Sequence, residues 1–144
     1  MPENETYTLE VVTPTGVALK ETVVFTKVPA ENGEVGIYQN HSASLLKLHA
    51  GKVKVHQENG EVHKYFIPEG FSQILQDKVT ILTPYIENTD HINIERAEKA
   101  KQRALKRLEE SKSDSNINIR RARQSLFRAE RRLYVHKISN KKKK

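Results

Sequence analysis

From Thr6 to Ile86 apolar and polar residues alternate, and turn residues interrupt the pattern about every eight to twelve positions, as short strands require. Leu9 and Val11 alternate with polar neighbours until Pro14-Thr15-Gly16 turns the chain. Val23-Val24-Phe25 is a β-branched run that ends at Pro29 and Asn32-Gly33. Val53 and Val55 precede Glu58-Asn59-Gly60, where Asn-Gly predicts a hairpin because both residues tolerate positive φ. Val62, Tyr65-Phe66-Ile67, Phe71, Ile74-Leu75 and Val79 to Ile81 supply the later strands. Strands this short and numerous predict a β-sandwich or barrel of roughly 85 residues.

The period then changes. Thr89-Asp90 offers a helix start, with Asn93 a second candidate cap, and Ile94 to Glu110 contains neither Gly nor Pro. Ile94, Ala97, Ala104 and Leu108 recur at helical spacing. Ser111 to Asn116 is a polar break, after which Ile119, Ala122, Leu126, Ala129 and Leu133 form a second seam. Two helices joined so closely predict an antiparallel hairpin. Its alanines let the axes approach but bury little area, on the order of 1 kcal/mol per methyl-sized group. The hairpin is therefore expected to be marginal and movable.

A repeat runs through these helices. Ile92-Asn93-Ile94-Glu95-Arg96-Ala97 returns 25 positions later as Ile117-Asn118-Ile119-Arg120-Arg121-Ala122. Arg96, Arg103 and Arg107 project from one side of the first helix, and Arg121, Arg128 and Arg132 repeat that phase on the second. Charge follows the same division. Residues 1–88 hold 7 Lys, no Arg and 11 acidic residues, whereas residues 89–144 hold 9 Lys, 9 Arg and 7 acidic residues. The second module suits an anion, either a polyphosphate gripped bidentately or an acidic protein segment. Nucleic acid is the alternative from another class, a basic helical adaptor, but Phe127 and Tyr134 are few aromatics for stacking and no helix-turn-helix is recognisable. Lys137 to Lys144 reads as a disordered basic tail.

Catalytic chemistry finds no foothold. There is no Cys, hence no disulfide, thiolate nucleophile or Cys-based zinc site. His41, His49, His56 and His63 lack ligand spacing, and His56 and His63 read as solvated cross-strand residues flanking the Asn-Gly turn rather than as a metal site. No Gly-x-Ser-x-Gly, phosphate loop or dinucleotide fingerprint occurs, and Gly33-x-x-Gly36 reads as a tight turn with close backbone approach. Met1-Pro2-Glu3-Asn4-Glu5 is unlike a secretory signal and no apolar run is long enough to cross a bilayer, so membrane association is expected only through a partner.

Taken together, these segments resemble the ε subunit of bacterial proton-translocating ATP synthases, from about Thr6 to about Tyr134. The resemblance is carried by Val11-Val12-Thr13-Pro14-Thr15-Gly16, by Gly33-Glu34-Val35-Gly36-Ile37-Tyr38-Gln39-Asn40-His41, and by Glu69-Gly70-Phe71, Val79-Thr80-Ile81-Leu82 and Glu87. Ile92-Asn93-Ile94-Glu95-Arg96-Ala97 sits where that family carries an Ile/Leu-Asp-x-x-Arg-Ala motif. The resemblance implies a sandwich of about ten strands over residues 1–88, a regulatory antiparallel helical hairpin over residues 89–136 and the tail beyond. It implies a non-catalytic rotor subunit on the cytoplasmic face of the bacterial membrane, with no required cofactor and no metal. The implied partners are the γ subunit, the membrane rotor ring and the β and α subunits. Glu34, Tyr38 and His41 would face the ring and γ, while Arg120, Arg121 and Arg123 would meet an acidic β-subunit segment. ATP is an implied regulatory ligand, with Glu87, Ile92, Asn93, Arg96, Arg103, Arg128 and Arg132 as its contacts by position. Asn93 departs from the family's aspartate, Tyr38-Gln39 replaces a common Leu/Tyr-Pro, and the link between the helices looks about two residues longer.

Overall fold

The computed structural model describes residues 5–141, with side chains through Lys137. Turn chemistry places the first strands where local sequence predicts them. Pro14 and Thr15 form the two-residue turn between β1 (Tyr7–Thr13) and β2 (Gly16–Ala30), and Gly16 takes φ 123°. Gly33, at φ 126°, opens β3 (Gly33–Ile37), which returns along the end of β2. Next come β4 (Ser44–Leu48) and β5 (Gly51–Gln57). Asn59-Gly60 then reverses β5 into β6 (Val62–Ile67), and Asn59 Oδ1 accepts the Glu61 N–H at 2.9 Å. The unit closes with β7 (Gly70–Ile74), β8 (Lys78–Leu82) and the short β9 (Glu87–Asn88).

Among the described residues nine strands form where about ten are expected. The difference lies in β2, which runs unbroken through Pro29. Pro29 sits opposite Glu34 of β3, and its carbonyl accepts the His49 N–H at 3.0 Å, so its missing donor does not stop the strand. The first part of β2 pairs with β1, which runs parallel to β8; β7 and β4 follow in order. The second part of β2 pairs with β3 and β5, and β5 leads to β6 and β9. One strand thus serves both layers, and Leu9, Val11, Val23, Val53, Val55 and Ile81 are among the residues fully buried between them.

One polar group crosses that core. The Tyr7 hydroxyl donates to the Ile37 carbonyl at 2.8 Å and shares a 2.7 Å hydrogen bond with Thr26 Oγ1, tying β1 to β2 and β3. Burial raises the Tyr7 pKa to about 12, opposed by the Thr26 bond. Tyr7→Phe strands a buried carbonyl and is expected to cost about 1–3 kcal/mol, read as a lower denaturant midpoint at unchanged slope. Alkali distinguishes the two proteins further. As pH rises from 10.0 to about 12 the unfolded chain loses the Tyr7 proton while the native one keeps it, so native stability falls through that interval. The fall specific to the wild type amounts to about 2–3 kcal/mol, and Tyr7→Phe removes it.

Contacts divide the chain at Asn88/Thr89, and the second unit is helical. Thr89–His91 forms a single 3-10 turn rather than the helix start that Thr89-Asp90 suggests. Asn93 instead caps α1 (Ile94–Glu110), which packs along α2 (Ile119–Lys141). Ala97, Ala104, Ala122 and Ala129 are buried, with Leu108, Leu126 and Leu133 partly so. Ile94 and Ile119, expected in the seam, are exposed, and Ile92 is buried instead. Ile92 stands just before the cap, the sequence position of a hydrophobic staple. α2 continues through Lys141, so the disordered tail expected from Lys137 begins as helix; no Gly or Pro stops it and lysine favours the conformation. Residues 142–144 lie outside the described residues.

Candidate functional site: a sandwich face and a two-helix plate

The segment Glu34 to His41 is built on an aromatic support. Tyr38 is exposed and its ring lies 4.6 Å from that of Phe25, which in turn meets His56 edge-on at 5.1 Å. Gly36 makes room, since a Cβ there would stand 2.8 Å from the Phe25 ring. Asn40 takes φ 66°, and the His41 N–H returns to the Tyr38 carbonyl at 3.2 Å. His41 Nδ1 is fixed 2.8 Å from the Ser42 carbonyl, and Glu34 pairs with Lys27 at 2.7 Å on the surface. Glu34, Tyr38 and His41 therefore belong to one rigid corner, with Tyr38 its protruding contact.

The two histidines flanking the Asn-Gly turn are not cross-strand partners of each other. His56 is opposite Val62, and His63 is opposite Val55 on the other face of the hairpin. His56 is held below the ordinary histidine range, first by burial against its neighbours and then by Lys54. His63 lies between Glu21 and Glu61, at 3.6 and 3.3 Å. Among the described residues no group of His, Cys, Asp and Glu could hold a metal ion.

Strand register creates a feature that no local pattern announces. Lys47, Phe71, Leu82, Val12 and Val17 stand side by side across β4, β7, β8, β1 and β2. Val17, Phe71 and Leu82 are 57, 47 and 50% exposed, a line of large apolar groups facing water. The parallel row of Leu45, Gln73, Thr80, Glu10 and Lys20 is polar apart from Leu45. The apolar row opens into a groove of about 550 Å³ whose walls include Pro14, Thr83 and Pro84. Single exposed apolar residues are ordinary, but a contiguous row beside polar neighbours marks a contact surface.

In the helical unit the sequence repeat has a direct structural meaning. Asn93 Oδ1 accepts the Arg96 N–H at 2.9 Å, and Asn118 Oδ1 accepts the Arg121 N–H at 3.0 Å. Both repeats are thus N-caps, each followed by the same phase of alanine and arginine. Asn93→Ala and Asn118→Ala should each cost about 1 kcal/mol and reduce helical circular dichroism. Arg96, Arg103 and Arg107 lie roughly 100° around α1 from its alanines, as do Arg121, Arg128 and Arg132 on α2. In an antiparallel pair with equivalent seams, equal phase places both rows on one face of the hairpin. Six guanidinium groups therefore share that face, with Arg128 and Arg132 half-buried and the others exposed.

The candidate nucleotide contacts divide between the units. Ile92, Asn93 and Arg96 gather at the start of α1, with Arg103 two turns along, while Arg128 and Arg132 come from α2. Glu87 belongs to the sandwich, on β9 opposite Phe66. Arg120, Arg121 and Arg123 are exposed in the first turns of α2, where the first turn holds no acidic residue.

Comparison with known proteins agrees across the chain. Residues 6–89 match the family described as ATP synthase, Delta/Epsilon chain, beta-sandwich domain, and residues 90–137 match its long alpha-helix domain. The ATP synthase epsilon chain of Desulfitobacterium hafniense (strain DSM 10664 / DCB-2) is 38% identical over 89% of this chain and 94% of its own length. That of Ligilactobacillus salivarius is 35% identical over 95% of this chain and 99% of its own length. Among solved structures, a chain of the Euglena gracilis mitochondrial ATP synthase OSCP/F1/c-ring complex has the same fold, with TM-score 0.70 at 22% identity over 92% of this chain and 78% of its own. With both domains matched in order, the chain belongs to the ATP synthase delta/epsilon family, as an epsilon chain.

Proposed function

We propose that this epsilon chain is a non-catalytic rotor subunit, coupling proton flow to ATP synthesis through its sandwich and restraining ATP hydrolysis through its hairpin. The carrying observation is the row of Val17, Phe71 and Leu82, exposed, with the partly buried Val12 between them, a contiguous apolar edge beside a mostly polar row. That row is the surface offered to the γ subunit, while the corner bearing Glu34, Tyr38 and His41 meets the membrane ring as well as γ. Such docking holds the chain at the cytoplasmic face of the bacterial membrane; no helix among the described residues is long and apolar enough to cross one. Adding the chain back to a complex prepared without it should restore proton-driven ATP synthesis, and an unchanged rate would remove the coupling role.

The hairpin supplies the regulatory half. Arg120, Arg121 and Arg123 place positive charge at the positive end of the α2 dipole, where each costs α2 about 0.3–1 kcal/mol. An acidic segment of a β subunit would offset that cost. ATP is the second ligand proposed for the hairpin, received by the arginine face through Arg96, Arg103, Arg128 and Arg132. Asn93 spends its carbonyl oxygen on the cap and offers an amide donor, which suits a phosphate oxygen. Calorimetry with ATP and magnesium tests this, and absence of heat at millimolar ATP ends it. Arg103→Ala and Arg128→Ala should each weaken binding by about 1.5–3 kcal/mol.

A further inference from the structure

The alanine seam does not account for every buried residue of the hairpin. On α2 the seam runs through Ala122, Leu126, Ala129 and Leu133, and its next position is His136 or Lys137. Val135 is out of that phase. It follows Arg128 and Arg132 by seven and three residues, so it stands on the arginine face of α2. A bare pair of helices would leave that side in water, yet Val135 is 1% exposed while its neighbour Tyr134 is 50% exposed. A second contact must cover it.

α2 packs against α1 and also against the 3-10 turn Thr89–His91. Topology brings that turn to Val135. The turn leads into α1 through the Asn93 cap, so it lies at the open end of the hairpin, where the antiparallel α2 finishes. Counted from the connection, Val135 is as far along α2 as Ile94 is along α1. The turn has its own sheltered side, for Thr89 and the adjoining Ile92 are both buried.

We infer that Val135 and this turn form a latch, separate from the alanine seam, that fastens the end of α2 to the root of the hairpin. The methyl groups of the seam bury little area, so a branched side chain buried whole at the free end adds strongly to what keeps the hairpin closed. For α2 to leave α1 and meet another partner, Val135 must first enter water. The latch belongs to the free chain, and its effect within the complex rests on the regulatory reading of the hairpin.

Hydrogen exchange on the full chain tests the latch, with Val135→Ala as the variant. Alanine is the better helix former, so intrinsic propensity alone would leave the end of α2 no looser. Loss of the latch should instead speed exchange of the amides around Val135 roughly tenfold. A contact couples both of its sides, so the amides of Thr89 to Ile92 should speed up by a similar factor. Tyr134→Ala, exposed and one residue away, should change neither segment. Unchanged exchange in Val135→Ala overturns the latch, and so does faster exchange in α2 alone, which would give Val135 a purely local role. In the complex, Val135→Ala should lower hydrolysis further, since a released α2 docks elsewhere more readily. If both segments loosen while hydrolysis stays the same, the latch stands and the regulatory reading falls.

Discussion

Ending the chain at Asn88 should leave it in the complex and raise ATP hydrolysis by a factor typical of regulatory coupling, roughly 5- to 150-fold or 1–3 kcal/mol. Assembly survives because every strand among the described residues, the buried Tyr7 network and the apolar row lie at or before Asn88. Restraint is lost because the truncation removes both arginine-bearing helices. The alanine seam explains why such a device can move. Ala97, Ala104, Ala122 and Ala129 bring two helices together with little apolar area, so a docking contact of a few kcal/mol is enough to decide where they rest. Hydrolysis by purified complexes, with the full and the shortened chain, measures the effect; an unchanged rate would remove the regulatory role.

The opposite outcome is expected from Phe71→Glu with Leu82→Glu. Both side chains stand in the middle of the apolar row and are half exposed, so the isolated sandwich should keep its stability to within about 0.5 kcal/mol per site. Docking suffers instead. Two carboxylates trapped in a dry contact, directly opposite each other on neighbouring strands, should weaken association by several kcal/mol, at least a hundredfold. The variant should fold, fail to co-purify with the complex and leave synthesis uncoupled. Charge reversal at Gln73 or Thr80, in the adjacent polar row, should have a much smaller effect.

Much of this architecture was legible wherever local chemistry decides it. Pro14-Thr15-Gly16 and Asn59-Gly60 announce their turns, and Gly36 marks a close approach because the Phe25 ring leaves no space for a Cβ. The Asn93 and Asn118 caps could be read from the repeat, since asparagine before a Gly- and Pro-free run satisfies free N–H groups. What escaped depends on distant partners. The parallel pairing of β1 with β8 joins residues some seventy positions apart, and the docking row exists only because four strand registers coincide. Phe71 and Leu82 read locally as ordinary strand residues. Ile92 and Ile94 are equally apolar, yet the one before the cap is buried and the one after it is exposed. The charge run from Lys137 signals solvation without excluding helix, so α2 continues to Lys141 where composition alone suggests a tail.

The absence of cysteine makes the central claim directly measurable, because one introduced thiol is the chain's only one. Leu82→Cys places it in the docking row, where a short cross-linker joins it to whatever the row touches. A rotor subunit should link to the γ subunit, and the linked complex should keep turning over, since both partners rotate together. Linkage to a stationary subunit, or a link to γ that halts turnover, would contradict the account.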